Sequence, residues 1–118
     1  TLEHLRNRQA FGGTMIEKQG IRQRLATSQC KLLAAQQLLY HAAWLDSAGK
    51  DAVAEISMVK AHCAETAQEV MYNCQQFHGG MGYIRDSPIE RMVRDARLHA
   101  IGGGATEGML EEVAKRWQ

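Results

Sequence analysis

Apolar residues recur at helical spacing along most of this chain, and glycines punctuate the pattern. Residues 1–9 read as a helix without a capping sequence, since Thr1 leads straight into Leu2 and Leu5, so that helix is expected to continue from upstream. Phe11-Gly12-Gly13 breaks it. From about Thr14 to Ser47 there is no proline and Gly20 is the one glycine, with Leu25, Leu32, Leu33, Leu38, Leu39 and Trp44 as the expected apolar positions. Gly49 closes that helix and Lys50-Asp51 opens the next. There Ile56, Val59, Cys63, Ala67, Val70, Cys74 and Phe77 follow at intervals of 3, 4, 4, 3, 4 and 3, which is one helix face, while Lys60, Glu65 and Glu69 fall off it. His78-Gly79-Gly80-Met81-Gly82 ends the stripe. Asp86-Ser87-Pro88-Ile89-Glu90 is a start signal: Ser87 caps, Pro88 suits the first helical position, and Glu90 completes a capping box. That helix should reach about Ala100. After Ile101-Gly102-Gly103-Gly104, a last helix runs from near Thr106 to Arg116 or Trp117. Two long and two shorter helices with short connections predict one all-α domain over 1–118, an antiparallel up-and-down four-helix bundle with a short final helix.

Composition narrows the function classes. With 14 basic and 13 acidic residues the net charge is +1, which offers no field for nucleic acid or anionic lipid. No apolar run approaches the ~20 residues of a membrane span. Cys30, Cys63 and Cys74 form no CxxC pair and fall within helical patterns, so reduced, buried thiols are expected rather than a disulfide or zinc site. His4, His41, His62, His78 and His99 are scattered without an HExxH spacing, and no metal site is expected. His78 reads as a loop residue, and Asp95 with His99 as at most a local pair.

Arg91, Arg94 and Arg97 interleave with Glu90 and Asp95. They read either as a solvated, salt-bridged face or as clamps on the glycine loops. The clusters Gly79-Gly80-x-Gly82 and Gly102-Gly103-Gly104 each lead toward a helix start, where backbone N–H groups attract oxyanions. They serve equally well simply to end helices.

Three segments carry a resemblance. Gln76-x-x-Gly79-Gly80-x-Gly82-Tyr83-x-x-Asp86-x(4)-Arg91-x(3)-Asp95 resembles the C-terminal signature of the acyl-CoA dehydrogenases at every defined position. Arg8-x-x-Phe11-Gly12-x(6)-Gln19 upstream, and Arg94-Asp95-Ala96-Arg97 with Ile101 to Glu107 downstream, resemble two further segments of that family in the same order.

The resemblance implies the C-terminal helical domain of a flavoenzyme that oxidises an acyl-CoA thioester to the trans-2-enoyl-CoA. FAD would take the β-hydride and pass electrons to an electron-transfer flavoprotein, in a homodimer or homotetramer with FAD across a subunit interface. It also implies a bacterial cytoplasmic or mitochondrial matrix location. Arg8 would pair with the pyrophosphate of the neighbouring subunit's FAD, Phe11 would pack on that cofactor, and Gln19 would hydrogen-bond near it. Gln76 and Gly80 would hold the ADP half, and Thr106 and Glu107 would contact the subunit's own FAD. On their residues alone, Phe11 also reads as a helix-end core residue and Gln19 as a plain surface residue.

Many family members carry the catalytic glutamate where this chain has Gly103. The resemblance therefore implies the isovaleryl-like or long-chain-like branch, with the base on a helix before Thr1. Neither Glu3 nor Glu17 matches that position. Gly103 would act through its backbone N–H on the thioester carbonyl. Ala105 replaces the usual Thr or Ser, removing one hydroxyl. The family's N-terminal and middle domains have no counterpart in these residues, so the chain is expected to fold but not to turn over substrate alone. An acyl-CoA oxidase or flavin monooxygenase relative, and a purely structural self-association bundle, are the alternatives.

Overall fold

The computed structural model describes residues 1–117 and is helical almost throughout. Helix α1 (Leu2–Asn7) is shorter than expected, because Gln9–Ala10 (β1) leaves the helical path to pair antiparallel with Gly13–Thr14 (β2), Gln9 opposite Thr14. Phe11 and Gly12 form the connecting turn at φ +53 and +78, the positive values that match a two-residue turn to strand twist. Helix α2 begins at Gln19 rather than Thr14. The Thr14–Glu17 stretch coils into a 3₁₀ turn instead, where the Glu17 carboxylate accepts the Thr14 N–H at 2.7 Å. The T-x-x-E spacing of a capping box was present there in the sequence.

Helix α2 ends at Ser47, and Gly49 (φ +67) turns the chain. Asp51 Oδ1 accepts the Val53 N–H at 3.1 Å to open helix α3 (Val53–His78). A 3₁₀ turn (Gly79–Gly82), helix α4 (Pro88–Leu98), helix α5 (Thr106–Ala114) and a last 3₁₀ turn (Lys115–Trp117) complete the chain.

Helix α3 is the centre: α2, α4 and α5 all pack on it, and α1 docks near its C-terminal end through Leu5, which is fully buried. The expected single stripe on α3 is therefore too narrow. Val70 and Phe77 are buried, but so are Ser57, Ala61, Ala64 and Thr66 off the stripe, while Ile56 is exposed.

Helix α2 departs further from expectation. It buries a seam of small residues seven apart, Ser28, Ala35 and Ala42, and exposes Leu32, Leu33, Leu39 and Trp44. Small side chains at this period permit close approach along a narrow seam. Cys30 is exposed rather than buried; Cys63 and Cys74 are half-buried, and all three thiols are free. The expected Ser87–Glu90 capping box does not form, because the Glu90 carboxylate is taken by Arg94 at 2.6 Å. The domain is elongated, 57 × 25 × 24 Å with a radius of gyration of 17.4 Å. A compact domain of this length would have about 13–14 Å.

Candidate functional site

Two clusters form on opposite halves of α3. The first lies where α1 and the β1–β2 turn meet the end of α3, around a cleft of about 660 Å³ lined by Arg8, Phe11, Gln76 and Gly80 among others. These four expected site residues come from two segments, 8–11 and 76–80, brought together by the docking of Leu5. Phe11 is 88% exposed, which removes the core reading. An exposed bulky residue at positive φ carries strain that packing inside the chain does not repay. Lys18 Nζ donates to the Phe11 carbonyl at 2.7 Å and holds the turn.

Gly79 has φ +60, as a helix-ending glycine requires. Gly80 has no such φ, and a Cβ there would meet nothing within 4 Å. The fold itself gives no reason for glycine at 80. Gly82 is different: its Cβ would lie 2.7 Å from the Gln75 carbonyl oxygen, so this glycine is needed for packing.

Sequence reasoning missed a histidine pair in the same region. His78 is the last residue of α3, and its ring stacks on His4 with centroids 4.2 Å apart and planes 17° from parallel. Thr1 Oγ1 is 3.3 Å from His78 Nε2. Burial, reinforced by His4, holds the His78 pKa below the ordinary histidine range. No local pattern reveals a contact between residues 74 positions apart.

The second cluster is the loop after α4. Gly103 and Gly104 have φ +67 and +110. Lys60, from the N-terminal half of α3, donates from Nζ to the His99 carbonyl and, at 2.9 Å, to the Gly102 carbonyl. Thr106 N–H donates to the Ala100 carbonyl at 3.2 Å, closing the loop. Thr106 Oγ1 is buried without a hydrogen-bond partner among the described residues. Glu107, the next residue of α5, is exposed. Of the two readings of the α4 arginines, the salt-bridged face is the one that forms: Arg94 pairs with Glu90 and Arg91 lies 3.9 Å from Asp95. The clamp is Lys60.

Gln19, at the first turn of α2, lines neither cluster. From Lys60 to Gln76 is 16 residues along α3, or roughly 24 Å, so the expected contacts divide into two separate sets. Among the described residues no group of three or more His, Cys, Asp and Glu side chains is placed to hold a metal ion. None of the helices there is long and apolar enough to cross a membrane.

These features define an all-α domain in which most of the expected site residues gather in two clusters on opposite halves of α3. The family described as acyl-CoA dehydrogenase, C-terminal domain, matches residues 1–118, and the chain belongs to that family. It is 34% identical over 115 residues to the short/branched chain specific acyl-CoA dehydrogenase, mitochondrial, of Bos taurus, covering 98% of this chain and 27% of that one. It is 41% identical over 106 residues to the cyclohexane-1-carbonyl-CoA dehydrogenase of Geobacter metallireducens, covering 90% and 28%. The crystal structure of an acyl-CoA dehydrogenase from Geobacillus kaustophilus superposes with a TM-score of 0.96 at 31% identity, covering 99% and 31%. An FAD complex of PigA superposes at 0.93 with 26% identity, covering 98% and 30%. Other relatives are named as reductases, one within an Etf complex, and as a desulfinase. The chain thus spans just over a quarter of the length of the curated relatives it matches.

Proposed function

We propose that this chain is the C-terminal FAD-binding and self-associating domain of an acyl-CoA dehydrogenase that converts an acyl-CoA thioester to the trans-2-enoyl-CoA. The observation that carries the reading is the first cleft, which gathers a guanidinium, an exposed strained aromatic, an amide and a glycine that the fold does not require.

Those groups fit FAD. Arg8 pairs with the pyrophosphate through a fixed guanidinium fork. Phe11 covers the cofactor with its exposed ring, Gln76 donates and accepts through its amide, and Gly80 permits close backbone approach. At the other cluster, Thr106 Oγ1 is an orphaned buried hydroxyl, and an outside hydrogen-bond partner would satisfy it. Glu107 stands beside it. Gln19, at the α2 terminus outside both clusters, is assigned to the neighbouring subunit's cofactor together with Arg8 and Phe11. The roughly 24 Å between the sets supports two cofactors per domain, the neighbouring subunit's at the first cleft and the domain's own at the second. That division supports our assignment of a homodimer or homotetramer.

Bound FAD supplies a hydride acceptor. Gly103 presents its N–H to the thioester carbonyl and stabilises charge developing on that oxygen as the α-proton leaves. Gly103 has no side chain to take the proton, so we assign the base to another part of the full-length protein. The electron acceptor we assign is an electron-transfer flavoprotein, and the compartment a bacterial cytoplasm or mitochondrial matrix. The direction of hydride transfer is assigned outside this domain, since relatives named dehydrogenase and reductase both match it.

The test is flavin content. In the full-length protein, Arg8→Ala and Gln76→Ala are each expected to weaken FAD binding by about tenfold or more, a loss of about 1.4 kcal/mol, with helicity unchanged. Gln19→Ala should cost less. Full flavin occupancy in the Arg8→Ala, Gln76→Ala double variant at limiting FAD would exclude the cofactor reading and leave a purely structural domain.

A further inference from the structure

Among the described residues the Lys60 ammonium is the cation bonded to the glycine loop, and its two acceptors are specific. The His99 carbonyl lies at the C-terminal end of α4, where the helix dipole is negative and a cation is favoured. The Gly102 carbonyl, 2.9 Å away, belongs to the same peptide unit as the Gly103 N–H. Among the described residues no acceptor takes that N–H. The Lys60 stem also runs beneath the turn, since a Cβ on Gly103 would lie 3.9 Å from its Cε.

A cation on a carbonyl oxygen draws electron density through the amide and makes the N–H of that peptide a stronger donor. We propose that Lys60 is the positioning residue of this site: it fixes the Gly102–Gly103 peptide and polarises it, so that the Gly103 N–H becomes a strong donor to a thioester carbonyl. The inference rests on the assignment of Gly103 above. Lys60 itself touches no substrate atom. It acts through one peptide bond, and with Gly103 and Gly104 at positive φ it holds a loop whose backbone would otherwise be free to turn.

The experiment uses the full-length flavoprotein and crotonyl-CoA labelled with carbon-13 at the carbonyl, a product-like thioester that the oxidised enzyme does not consume. The carbonyl stretch of the bound thioester is read by difference infrared spectroscopy. The wild type is expected to shift the band to lower frequency. Lys60→Met, with the stem kept and the charge removed, is expected to return it most of the way to the free position with flavin content unchanged. On a four-carbon acyl-CoA, kcat should fall about tenfold with a smaller change in KM. Should Lys60→Met lose flavin, Lys60→Arg is expected to retain flavin and keep the shifted band, because it returns a cation to the same carbonyls. A wild-type band and kcat in Lys60→Met, or Lys60→Arg with flavin but no shift, overturns the role of Lys60. No shift even in the wild type overturns the Gly103 assignment instead.

Discussion

Phe11 carries a backbone cost that the fold of this chain does not repay. A phenylalanine at φ +53 is strained by about 1–2 kcal/mol, the cost of the left-handed region for a residue with a Cβ. With 88% of its surface exposed, it recovers nothing from packing in this chain. Phe11→Gly removes the strain but loosens the unfolded chain by about 0.4–1 kcal/mol. The isolated chain should therefore melt at an unchanged or slightly higher temperature, while the full-length protein retains less flavin. A clearly lower melting temperature would mean that the ring stabilises the fold rather than a ligand. Lys60 is the opposite case. Nothing in its own neighbourhood along the chain distinguishes it from Glu65 or Glu69, which also fall off the α3 stripe. Glu69 does pair with Lys31 at 2.5 Å, but that pair is half-exposed and worth under about 1 kcal/mol.

At the scale of elements, the glycine turn after α3 is expected to separate folding from binding. Gly82 is buried against the Gln75 carbonyl, 2.7 Å from where a Cβ would stand, and backbone there has little room to yield. Gly82→Ala is expected to cost about 1–3 kcal/mol, seen as a melting temperature several degrees lower in the isolated chain. Gly80→Ala meets nothing within 4 Å and should leave stability unchanged while lowering flavin retention in the full-length protein. Equal losses of stability in the two variants would refute this division.

Element existence was legible in the sequence, since every expected helix is present and the breaks at Gly49, Gly79 and Gly102 stand where the glycines do. The ends were not. The β1–β2 pair shortens α1, and Arg94 draws Glu90 away from Ser87. In each case a partner outside the local pattern won.

For the whole molecule, the hydrophobic account is unbalanced. Among the described residues Leu5 is the one large side chain fully buried, and much of the core is alanine, while Leu32, Leu33, Leu39, Tyr40 and Trp44 lie exposed along α2. Leu32, Leu33, Leu39 and Tyr40 line a groove of about 420 Å³ between α2 and α3. A contiguous apolar surface of this kind marks an interaction face. The isolated chain should therefore sediment as a species heavier than its 13.2 kDa. Leu33→Glu with Tyr40→Glu should shift it toward the monomer without loss of helicity, because both residues are already exposed. A wild-type chain that stays monomeric at high concentration would remove self-association through this face.

By itself the sequence determined the helices, their breaks and the signature segments, because periodicity and glycine chemistry act within a few residues. The resemblance also pointed to four of the residues that line the first cleft, Arg8, Phe11, Gln76 and Gly80. Only the tertiary structure decided which apolar face is covered. Packing around α3 favours the small-residue seam of α2 over its leucines, and periodicity reports that a residue is apolar without reporting its neighbour. The tertiary structure likewise stacked His4 on His78, separated the two clusters along α3 and brought Lys60 to the Gly102 carbonyl. Those contacts span 42 to 74 residues. They exist because buried Leu5 and the alanines of α3 hold distant segments in place.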